Sequence, residues 1–200
     1  MKPVIIIGSG GHARVLLDIL ISESRPILGR TDLYLKGSSV SSAFFNIPLI
    51  GTDENIFDYP PDSIHLVNGL GMIPGPQLYH RREIYQRFKQ HGYTFPAIVH
   101  PSAILAGNVT LMEGVQIMAG AVIQTGTIIG ENCIINTRAA VDHDVVVGSH
   151  VHLAPGSTVC GNVTIGEGTF VGAGSTIIQG IEIGVNCIIK AGSIVTHNIN

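Results

Sequence analysis

Through the second half of the chain an apolar residue recurs at every sixth position. Leu105, Leu111, Ile117, Ile123, Ile129, Ile135, Val141, Val147, Leu153, Val159, Ile165, Val171, Ile177, Ile183, Ile189 and Val195 hold this register without a break. Two residues before each stands a small or β-branched residue, such as Ala121, Cys133, Val145, Ser157 or Thr169. Residues two apart on a strand share a face, so each hexad turns one aliphatic and one small side chain inward. The remaining residues make a turn. Gly114, Gly120, Gly126, Gly156, Gly168, Gly174, Gly180 and Gly192 fall three places after the aliphatic residue, where glycine adopts positive φ at least cost. This period predicts a parallel β-helix with three hexads per coil, in which residues eighteen apart stack over a continuous aliphatic column. A β-sandwich would need longer alternating strands and irregular spacing.

The first half has a different pattern. Residues 4–7, VIII, read as a buried strand, followed by GSGGHA and then by RVLLDILISE with helical periodicity. IPLIG (47–51) and IHLVNGLG (64–71) read as further strands, and RREIYQRFKQHG as a helix ending near Gly92. Pro96 and Pro101 punctuate the junction with the repeat. The expectation is an α/β domain over residues 1–96 and a β-helix over 97–200.

Composition narrows the picture. A net charge of −3 gives no basic field for nucleic acid. The apolar run at the start stops at Gly8, too short for a signal-peptide core, and no stretch approaches the ~20 apolar residues of a membrane span. A soluble, cytoplasmic protein is expected. Cys133, Cys160 and Cys187 form no CxxC pair. Cys133 and Cys187 lie three coils apart in one column, roughly 14 Å at the ~4.8 Å strand spacing, beyond disulfide reach.

Two segments carry candidate chemistry. The first is Gly8-x-Gly10-x-x-Ala13, between a strand and a helix, where backbone amides and a helix N-terminus can approach a phosphate. Asp32 follows about twenty residues on, where an acid of a dinucleotide-type fold meets a ribose hydroxyl. Fewer than a hundred residues suit a mononucleotide or a nucleotide-sugar diphosphate better than a nicotinamide dinucleotide. A turn that serves packing alone is the alternative. The second segment is INTRAAVDHDVVVGSHVHLAPG (135–156). His143 and Asp144 fall in a turn, and the eighteen-residue rule stacks Gly161 over His143. An imidazole oriented by a carboxylate suits a general base, and a glycine amide in its column can donate to an oxyanion. A simple solvated histidine is the alternative. His143, Asp144, His150 and His152 do not converge on one metal, because the hexad puts His152 on a flat face and His143 at a corner. Ile134, His152, Phe170 and Ile188 form an outward, mostly apolar stripe, a candidate subunit interface.

With these residues in view, the chain resembles the sialic acid O-acetyltransferase (NeuD) family, which includes bacterial acetyltransferases acting on nucleotide-linked amino sugars. The likeness rests on VIIIGSGGHARV, IPLIG, FPAIVHPSA, INT followed by VDHD, and HVHLAPGSTVCGNVTIGEGTFVGAGS, and it spans nearly the whole chain. It implies a Rossmann-like N-terminal domain that binds a nucleotide-sugar and a left-handed β-helix, since hexapeptide coils of this family are left-handed. It also implies homotrimers that bind acetyl-CoA between subunits. On this resemblance His143 is the general base, Asp144 its acidic partner and His152 a second active-site histidine near the acetyl donor. Asn136, Gly161, Ala173 and Ala191 line the acetyl-CoA groove. Gly8, Gly10, Gly11, His12 and Asp32 hold the nucleotide-sugar. Two departures stand out: relatives often carry Glu at the position of Asp144, and the sequence ends without their usual Gly-x-Pro-Ala segment; if that segment closes over coenzyme A in relatives, a lower affinity is expected here, and a trimmed sequence is the alternative. The expected activity is acetyl-CoA-dependent N-acetylation of a nucleotide-linked amino sugar, a 4-amino-4,6-dideoxyhexose, for bacterial surface glycans such as O-antigen, with no metal. The alternatives are sialic acid O-acetylation and a non-catalytic nucleotide-sugar-binding or scaffold protein.

Overall fold

The computed structural model describes residues 2–33, 46–75 and 78–200. The chain divides into two compact units, Met1–Pro96 and Ala97–Asn200.

The first unit is built on a four-stranded parallel sheet. Its strands are β1 (Val4–Ile7), β2 (Ile27–Thr31), β3 (Leu49–Gly51) and β4 (His65–Asn68), in the order β3-β2-β1-β4. β1 is buried at all four residues, as a central strand covered on both faces must be. Helix α1 (Gly11–Ser22) follows β1 and buries Ala13, Leu16, Leu17, Ile19 and Leu20, spaced along one face. Helix α2 (His80–Gln90) buries Ile84, Tyr85 and Phe88, which join Ile5, Ile7, Leu66, Tyr93 and Phe95 in one core. β2 has no counterpart among the expected strands. Its sequence, Ile-Leu-Gly-Arg-Thr, alternates poorly because Arg30 and Thr31 are buried beside the glycine loop instead of facing water. The strand order reverses at β1, since its sequence neighbour β2 lies on one side and β4 on the other. That is a topological switch point, and the loops leaving the C-terminal ends of β1 and β4 border a crevice there.

The second unit is a parallel β-helix of two-residue strands, from Ile98–Val99 to Ile194–Val195, stacked into three sheets. The eighteen-residue rule holds in the register: Ile134 pairs with His152, Ala140 with Thr158, and Val146 with Thr164. The aliphatic column is the core, with Ile117, Ile135, Leu153, Val159, Val171 and Ile177 all fully buried. Buried hydroxyls at the small inward positions bond to backbone fifteen residues on. Thr127 Oγ1 donates to the Asp142 carbonyl, Thr169 Oγ1 to that of Gly184 and Ser175 Oγ to that of Lys190, each at 2.8 Å. The small column therefore ties each coil to the next as well as filling space. The second turn residue takes positive φ in every hexad from Gly114 to Gly192, and not at glycines alone. Asn132, Arg138, Asp144, His150, Asn162 and Asn186 adopt φ of 54–61°. The stacked coil requires this conformation whatever the side chain, and Asn and Asp tolerate it better than Arg or His.

The stripe expected to be exposed is only partly so. Ile134, His152, Phe170 and Ile188 do pair in one outward row. Yet Ile134 is fully buried and His152 is 7% exposed, whereas Ile188 is 49% exposed. The chain covers the first half of the stripe with its own atoms, so only the later coils offer apolar surface.

Candidate active site

His143 sits at the first position of the turn between the strands Ala140–Val141 and Val146–Val147. The turn is held from both neighbouring coils. Asp144 N–H donates to Thr125 O (3.0 Å), Asp142 N–H to Val159 O (2.9 Å), and Asn162 N–H to the His143 carbonyl (3.1 Å). The backbone is thus fixed while the side chains of His143 and Asp144 stay about half exposed, at 48% and 59%. Left-handed φ at Asp144 turns its carboxylate back along the chain, and Oδ2 lies 2.9 Å from His143 Nδ1. A carboxylate only accepts, so in the neutral imidazole the proton resides on Nδ1 and the Nε2 lone pair is free. The hydrogen bond to Asp144 raises the His143 pKa above the ordinary imidazole value. The charges of Asp142 and Asp144 add to this and desolvation opposes it. Asp142 also accepts the His143 backbone N–H at 2.8 Å. This second carboxylate was not among the expected site residues.

Gly161 lies one coil on, under the imidazole. A Cβ at residue 161 would stand 2.6 Å from His143 Nε2 and 2.7 Å from Cε1, closer than side chains pack. Its φ is outside the positive region, so glycine is required here for room and not for backbone freedom. The Gly161 N–H makes no hydrogen bond among the described residues. Gly126, one coil before, makes the corresponding room for the Asp144 carboxylate. The dyad therefore occupies a slot bounded by two glycines, of which Gly126 was legible only as a turn residue.

The other residues expected to line a coenzyme groove lie elsewhere on these coils. Asn136 Nδ2 is 3.0 Å from His152 Nε2, while Asn136 Oδ1 accepts from Thr137 N–H at 2.7 Å. This pairing makes Nε2 of His152 the acceptor and puts the proton of the neutral ring on Nδ1. The His152 ring meets Phe170 edge-on, with centroids 5.2 Å apart. Ala173 and Ala191 are exposed turn residues one coil apart, at the corner that follows this face. His143 and Asn136 stand at opposite ends of the strand Ala140–Val141. A full face of the coil separates them, on the order of 15 Å. Of the residues expected in the groove, Gly161 lies at the dyad, whereas Asn136, His152, Ala173 and Ala191 do not meet it within one chain. Among the described residues, no three His, Cys, Asp or Glu side chains are grouped as for a metal ion. The cysteines are free thiols.

In the first unit a cavity of about 290 Å³ is lined by Gly8, Ser9, Gly10, Asp32, Leu33, Asp53, Leu70 and His80. It lies at the switch point. Gly10 is the N-cap of α1, with φ −85°; no side chain caps the helix, and no acid stands in its first turn. A helix N-terminus without a side-chain cap or an acid of its own suits an outside anionic acceptor. A Cβ at Gly10 or Gly11 would meet no atom of the described residues within 4 Å, so their packing does not demand glycine at either position. Gly11 and His12 form the first turn of α1 and are not part of the lining. Asp53 and His80 were missed from sequence. Asp53 had a signal, since Thr-Asp follows β3 just as Thr31-Asp32 ends β2. His80 had none, because α2 brings it there from a separate segment.

Residues 108–141 and 126–161 match the bacterial transferase hexapeptide (six repeats), and residues 162–197 match the hexapeptide repeat of succinyl-transferase. The class is thus that of hexapeptide-repeat transferases. Perosamine N-acetyltransferase from Caulobacter crescentus, solved in complex with CoA and GDP-perosamine, is 31% identical, with a TM-score of 0.88 over 100% of this chain and 90% of that one. The acetyltransferase domain of PglB from Neisseria gonorrhoeae, also solved with acetyl coenzyme A, is 26% identical; its TM-score is 0.89 over 100% of this chain and 94% of that one. WeeI from Acinetobacter baumannii shares the fold, at 17% identity and a TM-score of 0.74 over 98% and 97% of the two chains. The chain belongs to the hexapeptide-repeat acetyltransferase family that contains the perosamine N-acetyltransferase. No helix among the described residues is long and apolar enough to cross a membrane.

Proposed function

We propose that this protein transfers the acetyl group of acetyl-CoA to the amine of a nucleotide-linked amino sugar, a 4-amino-4,6-dideoxyhexose destined for a bacterial surface glycan. The observation that carries the reading is the His143–Asp144 dyad, fixed over Gly161 at an exposed corner. It occurs in a chain similar over its whole length to a sugar N-acetyltransferase solved with CoA and GDP-perosamine. Acetyl-CoA supplies a thioester carbonyl. His143 Nε2 takes the proton from the sugar amine as the nitrogen attacks that carbonyl. Asp144 holds the Nδ1–H tautomer and stabilises the imidazolium that forms. The Gly161 N–H, without a hydrogen-bond partner among the described residues, donates to the developing oxyanion. The imidazolium then returns its proton to the departing thiolate, so no covalent enzyme intermediate is needed and Cys160 takes no part.

Asn136, His152, Ala173 and Ala191 line the coenzyme groove in this reading. Because they stand a coil face away from His143, each site draws its base from one chain and its groove from another. A homotrimer of left-handed β-helices about a threefold axis meets that requirement, with the apolar surface around Ile188 toward a neighbour. The N-terminal unit acts as a half Rossmann-type domain. Its glycine loop and the first turn of α1, from Gly8 to His12, take the diphosphate, and Asp32 takes the ribose. Activated sugars are made in the cytoplasm, and that is the location we assign.

The test is a thiol-release assay with acetyl-CoA against a panel of nucleotide-linked amino sugars and free sialic acid, with products identified by mass spectrometry. Amide product from an amino-sugar nucleotide is expected. Ester product on sialic acid would establish the O-acetyltransferase alternative, and no turnover across the panel would favour a binding protein.

A further inference from the structure

The cavity at the switch point has two carboxylates in its wall, Asp32 and Asp53. A phosphorylated ligand entering it meets like charge. The N-terminus of α1 offsets only part of that, about half an elementary charge. Arg30 lies behind the wall on β2 and is 3% exposed. Its Nη1 donates to the hydroxyl of Ser9, a lining residue, and Ser9 Oγ donates to the Thr31 carbonyl at 2.8 Å. The next residue grips the loop from its other side, where Thr31 Oγ1 accepts the Gly8 N–H at 3.0 Å and donates to Asp53. The last two residues of β2 therefore hold the glycine loop at Gly8 and Ser9. A second buried guanidinium, Arg81, donates to the carbonyl of Leu70, on the cavity's opposite side, at 2.6 Å. Burial pushes the Arg30 guanidinium down from its ordinary range and Asp32 draws it back up, and arginine keeps its charge in such settings. Burying a guanidinium costs free energy that a neutral hydrogen-bonding residue on Ser9 would avoid. Loop geometry alone thus does not account for arginine at position 30.

We propose that Arg30 is a specificity-determining residue of this pocket, supplying the fixed positive charge that makes the glycine loop select a nucleoside diphosphate over a nucleoside monophosphate. The inference rests on the reading of the cavity as the nucleotide-sugar site. It narrows that reading, because a diphosphate carrier is chosen over a monophosphate-linked or free sugar acceptor.

The experiment is calorimetric titration of the full chain with GDP, GMP and guanosine, and with UDP, UMP and uridine. The wild-type protein should bind at least one diphosphate about tenfold or more tightly than its monophosphate, a factor worth one decade of Kd. Arg30→Gln removes the charge and keeps a donor for Ser9, and should cut the preference to about threefold or less. Arg30→Lys keeps the charge and should retain most of it. A preference unchanged in folded Arg30→Gln overturns the proposal. So does an equal weakening of nucleoside, monophosphate and diphosphate in both variants, which would mark Arg30 as structural. A wild-type protein that binds nucleotides without preferring diphosphates also overturns it, and leaves the nucleotide pocket standing. If no nucleotide binds at all, the reading of the pocket itself has failed.

Discussion

The His143 imidazole faces solvent on one side and a glycine on the other, and the consequences can be measured separately. A positioned general base is worth ~10²–10⁴ in rate, so His143→Ala should lower kcat by about that factor. The melting temperature should barely move, because the side chain is half exposed and its ion pair with Asp144 is screened. The base must be deprotonated to act. Since Asp144 first, and then the two carboxylate charges, raise the imidazole pKa, the acid limb of kcat/KM should lie above the ordinary ~6.5. Asp144→Asn and Asp142→Asn should each move that limb to lower pH, Asp144→Asn the further. A limb that stays put in both variants would remove His143 from the titration. For stability the sign is the reverse of the activity profile. A histidine whose folded pKa is raised contributes most below its unfolded value, and that contribution is lost as pH rises through the folded one. Gly161→Ala probes the slot. Its φ suits alanine, but the added Cβ would meet Nε2 at 2.6 Å and displace the ring. A shift near 1 Å at the reacting atom can cost about 10²-fold, so kcat should fall by that order while circular dichroism and melting stay close to wild type. Wild-type kcat in Gly161→Ala would mean the ring is free to swing and the slot has no role. Sequence spacing gave the stacking of Gly161 on His143, because eighteen residues make a coil. It did not give Asp142 or the Asn136–His152 bond, which joins residues sixteen apart. Those depend on side-chain rotation, for which periodicity carries no information.

At the scale of elements, the two units differ in how far their sequences reveal them. Each hexad repeats the same local demand, so every inward column could be read residue by residue, and the register shows no slip from Ile104 to Val195. In the first unit β1, α1, β4 and α2 declare themselves through apolar runs or helical period. β2 does not, because its end is shaped by the glycine loop it clamps. The loop itself can be tested at Gly10. The described residues leave the space over Gly10 open, and its φ of −85° is available to any residue. Gly10→Val should therefore fold, while its side chain occupies the approach to the α1 amides. Nucleotide-sugar binding should weaken at least tenfold, and coenzyme A binding should be unchanged when both are titrated calorimetrically. Equal loss of both ligands would point to misfolding, and loss of neither would leave the loop a packing turn.

At the scale of the whole molecule, one distance decides the argument: the face of the coil between His143 and the Asn136–His152 pair. Acetyl transfer requires base, amine and thioester carbonyl within about 3–3.5 Å of one another, and no rotamer closes a gap on the order of 15 Å. Either the groove residues have no part in the reaction, or two copies build each site. These alternatives separate by complementation. His143→Ala lacks the base, and a bulky change in the groove, Ala173→Trp, should block the coenzyme; each homo-oligomer should then be nearly inactive. If sites form between copies of a closed ring, mixing the two variants under reversible dissociation creates sites with a normal His143 from one chain and a normal groove from the next. Random assembly of equal amounts should produce such a site about a quarter of the time. The mixture should thus recover about a quarter of the wild-type rate, and it should do so only after subunits have exchanged. Light scattering on the same samples should give a trimer. A stable monomer that is fully active would refute the shared site outright. An active trimer whose mixed form recovers nothing would place base and groove in one chain, and the coenzyme would then lie along the corner of Gly126, Asp144 and Asn162 instead of beside His152.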